Sequence, residues 1–452
     1  MTFNFLGIPL PFPLPFPTLP LSSFSTLLLS VSTIGITLFI SHIFRSQKVK
    51  VTHSSSTLAL ISSCPSLFVY SAPRFLYSGI LHTLYTTLYR RRIVLQFTRE
   101  LFVHEDKGHN ALDWCKPRKS TSPVLIICHG LVGGSSERYV QWMAKEFVER
   151  FPKSPKGDEP TAVVFCARGC GGSSLSSPQA FNSAHTADLR AVVDSLHNKY
   201  PNSPLFAIGY SLGAGLLTKF VCEEGTSCKL RAAIAVCPSF DYVANSKSLE
   251  SLFNMYTFNP LLTKSLIKYA KKHKEAFVLH RGNQPIGSHP TSSFPDSGKF
   301  AAPKTSTSPR DELRKVFDIE KLLKVKTLRQ FDDMATAQLF GYKTAEEYYQ
   351  DASTAHRIHD IRIPYLSLNS ADDDIISVAD IPLDVFKKSE FAISAITREG
   401  GHVSYSLQND PTGPSWDNNV CIEFFSGVAN KIWTQNDGKE VSSSGGGGAR
   451  AM

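Results

Sequence analysis

The sequence of 452 residues lacks several patterns that would place a protein in a well-defined class. It contains no Asn-x-Ser/Thr acceptor for N-glycosylation. Its nine cysteines form no paired framework and have no histidine partners at zinc spacing, which argues against a disulfide-stabilised secreted domain and against a metal site. Basic residues outnumber acidic ones, 48 to 39, but they form separate clusters without a nucleic-acid-binding motif. We therefore expect no nucleic-acid partner.

Charged side chains are also absent from the first 44 residues. Residues 1–20 form a Pro/Phe-rich tail that cannot be a regular helix. Residues 21–44 are uncharged throughout, and at about 1.5 Å per residue a helix of this length crosses a bilayer core of roughly 30 Å. A cleaved signal peptide would need a basic n-region and a small-residue cleavage site, and neither is present. Because Arg45, Lys48 and Lys50 follow directly, a single-pass anchor with the rest of the chain in the cytosol is predicted.

The remaining sequence alternates between apolar runs and amphipathic helical patterns, which predicts a mostly parallel sheet with helices on both faces. An apolar, aromatic segment precedes this core and is interrupted by prolines, so an interfacial or cap-packing linker is predicted there rather than a second span. The predicted organisation is a linker at 45–92, a first core part at 93–238, a helical lid insertion at 239–352 with a disordered loop at 282–309, a second core part at 353–436 and a disordered tail at 437–452.

Ser211 lies at the centre of a Gly-x-Ser-x-Gly pattern within residues 204–217. In a nucleophile elbow, a buried strand runs into a tight turn that exposes the serine hydroxyl, and a helix follows at once. The apolar run 205–208 is typical of such a strand, and the small residues after the serine suit the start of a helix. The pattern alone leaves open a serine that only caps a helix.

A glycine-rich turn supplies candidate donors for stabilising a negatively charged oxygen. This turn, residues 129–134, follows the strand-like run 124–128. Such a turn lends one backbone N–H to an oxyanion hole, and the residue after the nucleophile lends another. The candidate donors are therefore the N–H groups of Leu131 and Leu212. We interpret His129 as a residue that stabilises the turn rather than as a direct catalytic group.

Candidates for an acid and a base follow later, in the chain order serine, acid, histidine. A predicted strand at 364–368 precedes three consecutive aspartates, Asp372 to Asp374, one of which would be the acid. His402 lies on a Gly-Gly turn after the strand-like run 391–396, and an ordinary surface histidine is the alternative. A serine hydroxyl is a poor nucleophile by itself, so it needs a histidine to take its proton and a carboxylate to orient that histidine.

Six segments carry a more specific resemblance: HGLVGGSSERYV, ARGCGGSSLSSPQAFNSAHTADLRAVV, GYSLGAG, LRQFDDMATAQLFGYKTAEEYYQDAST, LNSADDDIIS and GGHVSY. From about residue 64 to residue 435, the sequence resembles the membrane-anchored abhydrolase family of medium-chain fatty acid ester synthases/esterases and phospholipases. The resemblance implies an α/β-hydrolase fold with a helical lid, a single N-terminal anchor, no cofactor and acyl-ester substrates. It also implies that Asp373 is the acid of the triad.

The predicted function is that of a membrane-anchored serine hydrolase or acyltransferase that forms a covalent acyl-enzyme on Ser211. Its reactants would be an acyl ester or acyl-CoA together with water or an alcohol, and its partner would be the bilayer of the endoplasmic reticulum or of a lipid-associated membrane. Two alternatives stay open at this stage. One is an esterase or acyltransferase that tailors a specialised metabolite, and the other is an inactive scaffold that retains the hydrolase fold.

Overall fold

The computed structural model describes residues 48–279 and 318–444. The predicted N-terminal tail, the predicted anchor at 21–44 and the predicted disordered loop at 282–309 lie outside these residues. Within the described parts of the chain, no helix is both long enough and apolar enough to span a bilayer.

Nine strands of the described chain form one sheet in the order β1-β9-β8-β7-β6-β4-β5-β3-β2. The run from β9 to β5 is parallel, whereas β1, β3 and β2 pair antiparallel at the two edges. The mostly parallel sheet predicted from the sequence is therefore confirmed. The strands are β1 (Lys50–Thr52), β2 (Thr98–Val103), β3 (His109–Trp114), β4 (Val124–Cys128), β5 (Thr161–Cys166), β6 (Leu205–Tyr210), β7 (Ala232–Val236), β8 (Tyr365–Ser370) and β9 (Ala392–Thr397).

Helices cover both faces of this sheet and form the insertion between β7 and β8. Their bounds are α1 (Leu58–Ile61), α2 (Gly79–Tyr89), α3 (Arg138–Arg150), α4 (Ala187–Lys199), α5 (Leu212–Glu224), α6 (Tyr242–Leu249), α7 (Leu252–Tyr256), α8 (Phe258–Lys272), α9 (Lys274–Leu279), α10 (Ile319–Leu322), α11 (Leu328–Phe331), α12 (Ala337–Phe340), α13 (Ala345–Ala352), α14 (Leu383–Phe386) and α15 (Trp416–Ser444). A π-helical turn, Asp332–Thr336, joins α11 to α12.

The central strands are buried at every position because helices pack on both of their faces. In β4, Leu125 and Ile127 belong to one apolar cluster with α3 and α15, whereas Val124 and Ile126 belong to another with α4 and α5. A strand buried on both sides needs a continuous apolar run rather than an alternating one. This requirement explains why the runs 124–128 and 205–208 were recognisable as strands.

The segment before the core takes a larger part in the fold than a linker does. Residues Lys50–Thr52 form the edge strand β1, which pairs antiparallel with β9. Helix α2 begins after Ser78, whose side chain accepts a hydrogen bond from the backbone N–H of Leu81. A strand of three residues is too short to show a period in the sequence, so β1 could not be predicted.

The insertion between β7 and β8 is helical and has an apolar core of its own. Residues 248–274 contain the end of α6, all of α7 and α8, and the first residue of α9. Side chains from α8 and from the α11–α12 region pack together, among them Leu266, Tyr269, Phe331 and Leu339. The insertion therefore forms a packed wall above the carboxyl ends of the strands.

Candidate active site

Ser211 occupies the sharp turn between β6 and α5. Its backbone has φ 53° and ψ −118°, a conformation that is strained for a residue with a side chain. The turn is possible because Gly209 and Gly213 lack side chains. A Cβ on Gly209 would lie 2.4 Å from the carbonyl oxygen of Gly213, and one on Gly213 would lie 2.4 Å from that of His129. Strain of this kind is typical of a nucleophile elbow.

The structure brings together the three side chains selected from the sequence. Nε2 of His402 lies 2.8 Å from Oγ of Ser211, and Nδ1 of His402 lies 2.9 Å from Oδ2 of Asp373. The Asp373 carboxylate accepts a hydrogen bond from Nδ1–H, so Nε2 of the neutral ring is left to accept a hydrogen bond from the serine hydroxyl. This is the geometry in which a histidine removes the proton of an attacking serine.

Backbone donors fix the orientation of the Asp373 carboxylate. Its Oδ1 accepts hydrogen bonds from the N–H groups of Ile375, at 2.9 Å, and Ile376, at 3.0 Å. Its Oδ2 is thereby directed to His402, and the side chain is almost completely buried. Among the three consecutive aspartates, Asp373 is the one that contacts the imidazole.

The neighbouring aspartates have other positions in the turn. Asp372 Oδ1 accepts hydrogen bonds from the Ser370 hydroxyl and from the backbone N–H of Gly401, the latter at 2.9 Å, so Asp372 connects the two turns of the site. Asp374 is half-buried, and its burial together with Asp372 and Asp373 raises its pKa to about 6.

Helix α2 packs against both the turn that contains Asp372 and the turn that contains His402, and the sequence did not reveal these contacts. The backbone N–H of His402 donates to Oγ1 of Thr83 at 3.0 Å. Helix and turns approach so closely that a Cβ on Gly79 would lie 1.6 Å from the carbonyl oxygen of Asp372, and one on Gly401 would lie 2.3 Å from that of Gly79. These contacts join residues about 300 positions apart in the sequence, and no local sequence pattern predicts them.

The ring of His129 is used entirely in holding the glycine-rich turn. Its Nε2 accepts a hydrogen bond from the N–H of Ala167 at 3.1 Å, so Nδ1 carries the proton and donates to the carbonyl of Gly130 at 2.7 Å. Burial lowers the pKa of this imidazole, which favours the neutral form that such a pair of bonds requires. The ring therefore has the turn-stabilising position predicted from the sequence.

The two candidate oxyanion donors lie beside the nucleophile. Leu131 and Leu212 line the same cavity as Ser211. Neither backbone N–H donates a hydrogen bond to another described residue. The preceding N–H, that of Gly130, donates instead to the hydroxyl of Tyr139 at 2.9 Å, which fixes the turn. Two N–H groups without partners at the mouth of an elbow can receive a developing negative charge.

A thiol lies near this group of residues. Sγ of Cys237 and the side chains of Asp373 and His402 have ligand atoms within 4.8 Å of one another, a spacing that a metal ion could bridge. Asp373 and His402, however, are already hydrogen-bonded to each other, and His402 is also hydrogen-bonded to Ser211. Burial and the nearby Asp373 carboxylate raise the pKa of Cys237 well above its usual range, which favours the neutral thiol.

A cavity of about 110 Å³ opens from Ser211 towards the helical insertion. Part of its lining is apolar, with Leu249, Leu262, Leu266 and Leu328 from the insertion. Ile375 and Ile376, whose N–H groups hold Asp373, also line it. The nucleophile therefore lines a pocket that has an apolar part on the side of the insertion.

Comparison with known proteins assigns the chain to a family. The model of the alpha/beta hydrolase fold matches residues 123–403, which contain the elbow, the three aspartates and the histidine turn. The chain belongs to the α/β-hydrolase family.

Relatives within this α/β-hydrolase family have related names. The chain is 33% identical over 299 residues to the monoacylglycerol lipase of Saccharomyces cerevisiae, covering 65% of this chain and 57% of the relative. It is 30% identical to the phospholipase ABHD3 of Mus musculus, and the match covers 69% of this chain and 67% of the relative. It is 29% identical to the medium-chain fatty acid ethyl ester synthase/esterase 2 of Saccharomyces cerevisiae, covering 68% and 63%. The matched region thus spans about two thirds or less of each of these proteins.

Proposed function

We propose that this α/β-hydrolase is a membrane-anchored serine hydrolase that cleaves acyl esters through a covalent acyl-enzyme and also transfers the acyl group to alcohols. The observation that carries the proposal is the hydrogen-bonded series Ser211–His402–Asp373 at a strained elbow. The relatives support it, because a lipase, a phospholipase and an ester synthase/esterase all act on fatty acyl groups.

The first half of the proposed reaction forms the acyl-enzyme. His402 Nε2 takes the proton of Ser211 as Oγ attacks the ester carbonyl, and Asp373 stabilises the imidazolium that results. The carbonyl oxygen becomes negative and would be held by the N–H groups of Leu131 and Leu212. Losing one such donor typically raises the barrier by about 3 kcal/mol. His402 then returns its proton to the departing alcohol oxygen, which leaves the acyl group on Ser211.

The second half releases the acyl group to whichever nucleophile reaches His402. A water gives the free acid, and an alcohol gives a new ester, because the histidine deprotonates either hydroxyl. The apolar lining of the cavity favours amphiphilic alcohols and limits water. An acyl-CoA would be able to acylate Ser211 in the same way as an ester.

Product analysis in the presence of an alcohol tests both halves. The purified protein is incubated with p-nitrophenyl octanoate and graded ethanol, with Ser211→Ala as the control. We expect p-nitrophenol release from the native protein only, with octanoic acid giving way to ethyl octanoate as ethanol rises. Octanoic acid as the only product at every ethanol concentration would contradict the transfer activity and leave an esterase.

The membrane anchor is a separate part of the proposal. It rests on the uncharged residues 21–44 and on exposed apolar side chains of the described chain. On α2, Leu88 and Tyr89 are each 63% exposed, and on α7, Leu252 is 82% exposed. Exposed apolar surface on both α2 and the insertion would suit a protein that lies against the bilayer of the endoplasmic reticulum or of a lipid-associated membrane.

Protease protection tests this topology. If Arg45, Lys48 and Lys50 keep the C-terminal side in the cytosol, protease added to sealed microsomes should digest the catalytic domain. A lumenal marker protein provides the control for sealed vesicles. Protection of the catalytic domain in vesicles that also protect the marker would contradict the proposed orientation.

A further inference from the structure

One side of the cavity is polar, and its polar groups come from four separate parts of the fold. Asn182 precedes α4, Ser239 follows β7, Asn245 lies on α6, and Asp332 begins the π-helical turn. All four line the cavity that contains Ser211, and each is more than nine-tenths buried. We call these four residues the polar wall. None of them belongs to the Ser211–His402–Asp373 series.

Three members of the polar wall have a buried polar atom without a partner among the described residues. These atoms are Nδ2 of Asn182, Oγ of Ser239 and Oδ1 of Asn245. The amide orientation of Asn182 is fixed, because its Oδ1 accepts from the N–H groups of Ala184 and His185, both at 2.7 Å. Buried polar atoms in native proteins are almost always hydrogen-bonded. Three exceptions in one cavity, beside the nucleophile, indicate that a molecule entering the cavity supplies their partners.

The fourth member, Asp332, is a buried carboxylate that no cation among the described residues neutralises. Its Oδ1 accepts from the Thr336 hydroxyl at 2.6 Å, and its Oδ2 accepts from the Tyr349 hydroxyl at 2.8 Å. Each oxygen retains a second lone pair that can accept another hydrogen bond. Burial raises the pKa of Asp332 to about 6, so the ionised group is costly for the fold. A π-helical turn places it there, and such turns are frequent at functional sites.

The mixture of groups selects the chemistry of the ligand. Asn182 offers a donor, Asn245 and Asp332 offer acceptors, and Ser239 can do either. Hydroxyl groups both donate and accept, so neighbouring hydroxyls would satisfy the whole set. A phosphate would require cationic partners, but no lysine or arginine of the described chain lines the cavity, and Asp332 would repel it.

We propose that the polar wall binds free hydroxyl groups on the alcohol part of the substrate, so that the protein prefers acyl esters of neutral polyhydroxylated alcohols. This inference rests on the proposed ester-cleaving function of Ser211. The fatty acyl chain has no polar atoms, so it lies against the leucines of the insertion, and the alcohol part remains for the polar wall. Esters of simple alkanols leave the wall without partners, and a site built for hydroxyl groups discriminates strongly against substrates that lack them.

Three esters with the same acyl chain and the same three-carbon alcohol skeleton test the inference. They are propyl octanoate, 1-octanoylglycerol and 1-octanoylglycerol 3-phosphate, assayed in one detergent mixture. We expect kcat/KM for the glycerol ester to exceed that for either of the others by at least tenfold. A preference for the phosphate ester would overturn the inference in favour of an anionic headgroup, and equal rates on the propyl and glycerol esters would overturn it outright.

Two substitutions assign the preference to the polar wall. Asp332→Asn retains an acceptor for Thr336, and we expect it to lower kcat/KM for 1-octanoylglycerol at least tenfold while propyl octanoate stays within twofold. Ser239→Ala should lower the glycerol-to-propyl ratio in the same direction, and it keeps the test available if the first variant is misfolded. Asp333→Asn is the matched control, because Asp333 Oδ1 accepts a hydrogen bond from the N–H of Ala345 and Asp333 does not line the cavity.

The outcomes separate this inference from the proposed function. If the Asp332 and Ser239 variants lose kcat/KM equally on propyl octanoate and on 1-octanoylglycerol, the polar wall has a structural role only, and the inference is overturned. A native protein that cleaves p-nitrophenyl octanoate without distinguishing the propyl and glycerol esters would retain the proposed function and lose the inference. A native protein that cleaves none of these esters would contradict both.

Discussion

The substitution Asp373→Asn tests the site more sharply than removal of the whole carboxyl group does, because the structure specifies which way the new amide must face. Asp373 Oδ1 accepts from the N–H groups of Ile375 and Ile376, so the single carbonyl oxygen of an asparagine would take that position. Its NH₂ group would then face His402 Nδ1, which would have to become an acceptor. The proton would move to Nε2, and the ring could no longer accept the proton of Ser211.

The expected loss is large and confined to catalysis. In serine triads whose acid becomes an amide, kcat falls by about 10⁴, which corresponds to a barrier increase of about 5.4 kcal/mol. The steady-state rate of p-nitrophenyl octanoate hydrolysis measures this fall, and circular dichroism checks that the fold is unchanged. Asp372→Asn is the matched control, because its carbonyl can still accept from Gly401 N–H, and we expect a loss of no more than about tenfold. A dead Asp372 variant beside an active Asp373 variant would refute the assignment of the acid.

Three further predictions follow from the contacts around the site. Gly79→Ala should greatly reduce kcat, since its Cβ would lie 1.6 Å from the carbonyl oxygen of Asp372, and the loss should appear in activity assays before it appears as global unfolding. Thr83→Val removes the acceptor of the His402 N–H, an effect of about 1–3 kcal/mol that should lower kcat by roughly 10- to 100-fold with little change in KM. Asp332→Asn should stabilise the fold at high pH. In the folded protein the pKa of Asp332 is about 6, above the ordinary 3.8, so the native protein loses stability as the carboxyl ionises and pH rises through 6. The asparagine does not ionise and avoids this loss. Urea denaturation at pH 8 should show a gain of about 3 kcal/mol, and the gain should vanish below about pH 4, whereas an equal gain at both pH values would contradict the raised pKa.

The parts of the fold that were predictable are those that a local pattern determines. Strand β4 appears at its predicted bounds, because strands buried on both faces must be continuous apolar runs. The sequence also marks Ser211, which lies between Gly209 and Gly213, and His402, which follows two glycines.

The unpredicted parts depend on contacts between distant residues. Thr83 and His402 are 319 positions apart, and a threonine in an apolar helix carries no sign of such a partner. Asp332 lies in a segment that resembles the family, yet its burial and its place in the cavity come from contacts within the insertion, such as those with Thr336 and Tyr349. Choosing Asp373 among three adjacent aspartates needed the family resemblance, because a turn outside a strand has no period.

The proposed function depends above all on Ser211 being an activated nucleophile. Incubation with an alkyl fluorophosphonate, followed by digestion and mass spectrometry of the peptides, measures this directly. We expect one stoichiometric phosphonyl adduct on Ser211 in the native protein, and no adduct in Ser211→Ala. A folded native protein that stays unlabelled, or that carries the adduct on a different residue, would contradict it.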